Sequence, residues 1–503
     1  MTAVINRTKT LLALTVSVAL SGCAITESGS ESAAKSTQNA GNAGNAAQSV
    51  KPFVMPKMAT SGAKFQLPSY QQYQLANGLT VYLLQRDKVP LVTAELWMPV
   101  GAVNDSDAGI AMLTSQGLLL GTDKLSKAQL EQQVEQLGAS LTARADKEAT
   151  VIASQFQSKD ITTMLALLAD VAINPSFPAA EVVKARDRYV AQLAQQKESP
   201  RAVIGNYFDR LVYGNHPYGN AAAGNADELS QLDEFDLKLF HGSWYQPRGS
   251  ALVISGDFAN EKASQLVQGY FGGWDDRATP QAPDLAAAIA PANGAKVLLV
   301  DKPDARETTF MIGGIGVARD NPDYVGLMVV NTILGGRFTS WLNDELRVKA
   351  GLTYGARSRF AALSEHGSFY LSSFTASKNT KAAVDLALST YQRLWQQGID
   401  QATLDSAKAY VKGQFPPKYE TAEQLAGLLG QSHLMGLSTK QPNRFSEQVD
   451  SLTLTEVQRL VAEHFPQQNL QFVLVGNAAE IAAIAGEYGE VTQVEINQSG
   501  FRF

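Results

Sequence analysis

The chain has 503 residues, 45% of them hydrophobic and 18% charged, with a formal net charge of −6. That is the composition of a globular protein long enough for two to four domains with sizeable cores. Lys and Arg are scattered, so no nucleic-acid-binding surface stands out, and a single cysteine excludes an intramolecular disulfide.

The chain starts with features of export. Arg7 and Lys9 precede an apolar run, Leu11 to Leu20, of about ten residues. That suits a signal-peptide core and is too short to span a bilayer. Leu20-Ser21-Gly22-Cys23 follows and resembles the bacterial lipobox, in which the cysteine is lipidated and becomes the mature N-terminus. The alternative is a chance cysteine behind an ordinary signal peptide. Ala24, rather than Asp, resembles the outer-membrane sorting pattern. Residues 1–22 therefore read as a lipoprotein signal peptide. Residues 23–64, rich in Ser, Ala, Asn and Gly, read as a flexible tether. No later stretch is long and apolar enough for a transmembrane helix. The expected location is the bacterial cell envelope, as an outer-membrane lipoprotein facing the periplasm and held to the membrane through Cys23.

The folded part begins near Tyr70. Leu79–Leu84 and Leu91–Trp97 read as strands, followed by Val100-Gly101-Ala102 and an apolar helix over Gly109–Leu120. Lys296–Val300 and Thr308–Ile315 repeat the pattern, followed by Gly316-Val317-Ala318 and an apolar helix over Asp323–Leu334. The ends of the halves match without gaps at an offset of 220: Leu232–Asp257 against Leu452–Asn477. Each reads as a helix, a turn and a buried strand, Ser250–Ser255 or Leu470–Val475. Asp233 and Thr453 are the expected N-caps, and Glu456 gives the second a capping-box signature. Two α+β halves result, 65–258 and 294–503, with an Ala/Pro/Asp-rich linker over 259–293 and a cleft expected between them.

Four segments, in order, resemble the M16 (pitrilysin-like, insulinase-like) zinc metallopeptidase family over roughly residues 70–490. They are Gly109–Thr122, Tyr213–Gly219, Trp244–Pro247 and Leu334–Tyr354. The resemblance implies two tandem homologous α/β-roll lobes arranged as a clam shell. In active members the first segment carries His-x-x-Glu-His. Its two histidines, four apart on one helix face, bind Zn²⁺ while the Glu deprotonates the metal-bound water. The matching positions here are Met112, Ser115 and Gln116. The family's third ligand, a Glu on a later helix, is matched by Gln192. A thioether, a hydroxyl and two amides are poor substitutes, so no metal is expected on this chain. The histidines, His216, His241, His366, His433 and His464, show no His-x-x-x-His spacing and read as surface or locally hydrogen-bonded side chains, His216 as structural.

Other family elements are present. Arg347 and Tyr354 match a pair that, in active relatives, orients the substrate backbone and stabilises charge on the attacked carbonyl. The alternative is a surface helix residue and a core strand residue. Gly335-Gly336 resembles the glycine loop of non-catalytic subunits, and a helix C-cap explains it nearly as well. Gly138–Ser154 matches an edge strand where relatives align peptides, with Thr142-Ala143 where the family often has Asn-Ala; an ordinary strand is the alternative. The resemblance implies a zinc-free subunit that lends Arg347 and Tyr354 to a zinc-bearing M16 partner acting on peptides. A peptide-binding or scaffold lipoprotein without activity is the rival reading.

Overall fold

The computed structural model describes residues 64–277 and 279–503. Cys23, the signal peptide and all of the tether before Lys64 lie outside the described residues. Each half builds a six-stranded sheet. The first contains β1 (Gln71–Gln74), β2 (Thr80–Gln85), β3 (Leu91–Met98), β4 (Ser140–Ala145), β5 (Thr150–Gln157) and β6 (Ala251–Gly256), in the order β1-β2-β6-β3-β5-β4. The second contains β7 (Lys296–Asp301), β8 (Glu307–Ile315), β9 (Ala356–Ala362), β10 (Gly367–Ala376), β11 (Gln471–Gly476) and β12 (Glu490–Glu495), in the order β12-β7-β11-β8-β10-β9. Five positions correspond. The sixth edge differs in origin: β1 comes first in its half and pairs antiparallel with β2, whereas β12 comes last and pairs parallel with β7.

The helices of the first half are α1 (Ile110–Gly117), α2 (Lys127–Gln136), α3 (Ile161–Ile173), α4 (Ala179–Gln196), α5 (Pro200–Tyr213), α6 (Ala226–Leu229), α7 (Glu234–Trp244) and α8 (Asn260–Phe271). Those of the second are α9 (Tyr324–Asn331), α10 (Thr380–Gln396), α11 (Gln401–Gln414), α12 (Ala422–Leu434), α13 (Gln441–Ser451), α14 (Leu454–His464) and α15 (Ala478–Ala485). Among the described residues no helix is long and apolar enough to cross a membrane.

The sequence repeat survives to the residue: α7 and α14, and β6 and β11, keep the offset of 220. The caps differ from expectation. Asp233 forms the reciprocal capping box, accepting from the Phe235 and Asp236 amides while Asp236 accepts from its own. Thr453 caps alone, because the Glu456 side chain turns to Arg459. The segment read as a linker from Ala259 begins instead with α8, which buries Val267 and Phe271 in the first core. Irregular chain starts only after Trp274.

The two lobes exchange helices. α5, from the first half, lies on the second sheet, burying Val203, Ile204, Tyr207 and Phe208 against Leu298, Met311 and Val473. α12, from the second half, lies on the first sheet, burying Leu425, Ala426 and Leu429 against Tyr82, Trp97 and Val253. Both sheets are thus covered on both faces. That is why β6 and β11 are buried at every residue and read as unbroken apolar runs. Each large buried side chain contributes roughly 2 kcal/mol, so lifting either helix off its seat costs several times that. Phe65 and Leu67 also reach the second half, Phe65 packing on Phe415 and Tyr419 and Leu67 donating to Asn443 Oδ1 at 2.6 Å.

Polar contacts lock the same junction. The Glu148 carboxylate accepts from the buried Tyr218 hydroxyl at 2.6 Å and from the Ser364 amide at 3.2 Å, and also from the Ser364 hydroxyl. Lys147 bridges Asp209 and the Tyr218 carbonyl.

Candidate functional site

The degenerate zinc positions sit where a zinc helix would be. α1 is capped by Asp105, whose carboxylate accepts from the Gly109 amide at 2.7 Å and the Ala111 amide at 3.0 Å. On α1, Met112 packs half-buried against the first core. Ser115 is fully buried and its hydroxyl donates to the Met112 carbonyl at 2.7 Å, so it is consumed by its own helix. Gln116 is half-buried, and Gln192 stands exposed on α4, which packs beside α1. The donors available are therefore a thioether, a helix-bonded hydroxyl and two neutral amides. They do not fit Zn²⁺, and none is a base able to activate water.

The histidines are held locally. His241 meets the Ala172 carbonyl, His366 the Ala287 carbonyl and His433 the Tyr82 hydroxyl, and His216 Nδ1 accepts from the Tyr218 amide. Burial holds His241 down at about 4. Among the described residues one group of three, Asp323, Glu463 and His464, is close enough to share a cation. The Arg459 guanidinium already fills that role, donating twice to Asp323 and once to Glu463. The cluster pins α14 to the start of α9.

The second lobe is where the chain becomes irregular. α9 runs into a π-helical turn, Thr332–Gly336, and a second π-helical turn follows at Asn343–Lys349, where the Ala350 amide reaches back to the Glu345 carbonyl at 3.0 Å. π-turns widen the helix and recur at functional positions. Arg347 lies on the second turn, its guanidinium 4.6 Å from the centre of the Phe338 ring. Tyr354 lies in the loop before β9 and is 83% exposed, which removes its reading as a core strand residue. The loop is shaped by Thr353, whose hydroxyl accepts from the Gly355 amide at 3.1 Å.

Arg347 and Tyr354 line one open cavity of about 440 Å³, together with Arg201 from the exchanged helix α5. None of Met112, Ser115, Gln116 or Gln192 lines it. The pair is thus brought together, on a surface separate from the chain's own degenerate zinc helix.

Gly335 and Gly336 line a second cavity, about 470 Å³, that shares Arg357 with the first. Gly335 is no C-cap glycine. A Cβ there would overlap the backbone nitrogen of Ser358 on β9, so only glycine lets the π-turn lie against that edge strand. Asn331 fastens the contact, donating to the Ser358 carbonyl at 3.1 Å and accepting from its hydroxyl at 2.6 Å. Thr142 and Ala143 lie on β4, the edge of the first sheet, Thr142 exposed and Ala143 half-buried. They share no cavity with Arg347 and Tyr354. Sequence reasoning missed Arg201, Phe338 and Arg357. The one available signal was the alternation of Arg357 and Arg359 on the exposed face of a strand.

Residues 80–226 match the family model described as insulinase (peptidase family M16), and residues 232–411 match the one described as peptidase M16 inactive domain. An uncharacterised zinc protease of Mycobacterium leprae is 24% identical over 388 residues, 77% of this chain and 87% of that protein. Two Helicobacter pylori relatives are each 23% identical. They are a zinc protease, PqqE, covering 81% of this chain and 93% of its own length, and a non-peptidase homolog, YmxG, covering 80% and 95%. The crystal structure of a peptidase M16 inactive domain from Pseudomonas fluorescens aligns with a TM-score of 0.75 at 25% identity, over 81% of this chain and 98% of that one. With sequence, sheet topology and relatives in agreement, this chain belongs to the M16 peptidase family, as a non-catalytic member.

Proposed function

We propose that this chain is the zinc-free subunit of a heteromeric M16-type peptidase in the bacterial envelope, anchored through a lipid on Cys23. It lends Arg347 and Tyr354 to a zinc-bearing M16 partner that hydrolyses peptides. The observation that carries the reading is the outward placement of that pair. Tyr354 is 83% exposed and the cavity it shares with Arg347 contains no residue of the chain's own degenerate zinc set. A guanidinium and a phenol so placed can donate to a developing oxyanion supplied from outside the chain. The occurrence of a zinc protease and a non-peptidase homolog in one relative organism is consistent with such a division of labour.

The test is zinc content and peptidase activity of the purified chain, alone and mixed with a His-x-x-Glu-His M16 subunit from the same cell. The expected result is a metal-free, inert chain and activity in the mixture beyond that of the partner alone. A mixture that gains nothing sinks the reading. It would favour the rival, an inactive peptide-binding or scaffold lipoprotein, for which the free edge of β4 with Thr142 and Ala143 is the supporting observation. Zinc-dependent activity of the chain alone would refute both.

A further inference from the structure

The cavity beside Arg347 is cationic without internal compensation. Three guanidinium groups line it, from Arg201, Arg347 and Arg357, and no Asp or Glu does. Arg201 is committed, pairing with Glu307 at 2.7 Å and stacking on Phe374 at 3.3 Å from the ring centre. Among the described residues Arg347 and Arg357 have no carboxylate partner. The nearby acids are spent elsewhere: Asp344 and Glu345 pair with Lys349, and Glu345 also with Arg393. This happens in a chain of net charge −6, where an unpaired arginine has many acids to choose from. The remaining walls mix apolar and aromatic side chains, Phe338, Phe374 and Ile204, with neutral polar ones such as Asn343 and Ser372. Arg347 is held against Phe338, so its planar fork is oriented before any ligand arrives.

We infer that this cavity selects a carboxylate on the bound peptide, so that the substrates are acidic peptides. The inference rests on the proposed role of Arg347 and Tyr354 in facing substrate, and it names the class of substrate they face. Arg347 on the π-turn and Arg357 on β9 line one cavity, and a guanidinium fork there suits a carboxylate, bound by charge-assisted hydrogen bonds. The carboxylate is either a Glu or Asp side chain or the peptide's own C-terminus, and the two sources are separable by chemistry.

The experiment measures, by calorimetry, binding of short unlabelled peptides to the purified full-length chain in detergent, with no zinc subunit present. Four probes are compared: a peptide carrying one Glu, its Gln counterpart, and each of these with a free or an amidated C-terminus. Loss of the recognised carboxylate is expected to weaken binding about tenfold. The Glu-to-Gln arm reports a side-chain carboxylate and the amidation arm a terminal one. Arg347→Gln and Arg357→Gln should each reduce that difference, and Arg357→Lys should retain part of it. Failure of all four peptides to bind, equal binding of all four, or a preference that survives both Gln variants would overturn the inference. Because the readout is this chain's own binding, it fails or succeeds independently of whether the mixture with a zinc subunit gains activity.

Discussion

The two lobes carry the same five-strand core and receive the same kind of guest helix, yet they seat it differently. In the first sheet Glu95 lies opposite Val253, and in the second Met311 lies opposite Val473, the repeat equivalent of Val253. The first lobe thus places a buried carboxylate beneath α12, where the second places a thioether beneath α5. Trp97 and Gly313 form the next such pair, opposite Ala251 and Gln471. Glycine 430 on α12 exists to admit the indole, since a Cβ there would collide with the ring. A second contrast lies between the first apolar helix and the edge strand. There the first lobe has a regular helix, α2, with a Ser126–Gln129 capping box, and the second has π-turns with Arg347 on one of them. The same stretch of the scaffold is thus a regular helix in one lobe and an irregular turn carrying a cationic side chain in the other.

The largest effects should follow that second contrast. In an active mixture with a zinc-bearing subunit, Arg347→Ala or Tyr354→Phe should lower turnover by roughly 10²–10³-fold, the cost of one oxyanion donor, without preventing assembly. Gln116→Ala, on the degenerate helix, should leave turnover within a factor of about two. Steady-state kinetics beside a gel-filtration check of the complex decide it, and full activity of both second-lobe variants would dissolve the distinction between the lobes.

The first contrast predicts a pH effect confined to one lobe. Burial pushes Glu95 up to about 7 from an ordinary 4.5, against the Trp97 indole N–H that it accepts at 2.8 Å. Below the ordinary value both folded and unfolded chains hold the proton. Between 4.5 and 7 only the unfolded chain releases it, so stability should fall as pH rises through that window and level off above it. The full loss is on the order of 3 kcal/mol. Glu95→Gln keeps an acceptor for Trp97 and should flatten this slope by its own share, leaving the part due to Asp105, which burial also pushes up to about 7, as read from urea midpoints across roughly pH 5 to 8. An unchanged slope in the variant would place the titration elsewhere.

Gly335→Ala is smaller in scale. It forces a methyl into the Ser358 backbone and should cost about 1–3 kcal/mol by denaturant unfolding, while loosening the turn that adjoins the Arg357 cavity. The smallest expected effect belongs to the lobe junction. Glu148→Ala removes the carboxylate that accepts from the Tyr218 hydroxyl and from Ser364, while Tyr218 keeps the Glu365 amide, for a loss of about 1–2 kcal/mol. Hydrogen exchange of the 363–366 turn should report it before global unfolding does.

Legibility in the sequence was uneven for physical reasons. The repeat was visible because α7 and α14 keep their caps and because β6 and β11, buried on both faces, leave continuous apolar runs. The exchange of α5 and α12 was not visible, since an amphipathic pattern announces that a face is buried without naming what buries it. The edge strand β12 escaped notice because Glu490–Glu495 is exposed at nearly every position and carries little apolar alternation. α8 was absorbed into a linker by its polar composition, although Ala263, Val267 and Phe271 form a buried stripe. For the site, residue types and spacing marked Arg347 and Tyr354 through resemblance alone. The π-turn that carries Arg347 and the loop that carries Tyr354 are backbone irregularities that no local residue pattern announces.

The crossing of α5 and α12 also sets an order of events for synthesis. The first sheet has all its strands once Ala251–Gly256 has emerged, but one face stays uncovered until Ala422–Leu434 follows. During that interval an apolar surface including Tyr82, Trp97 and Val253 faces solvent, a liability for any nascent chain that pauses. Each half therefore leaves one sheet face open until a helix of the other docks on it, and such contacts between distant segments are of the kind that slow folding.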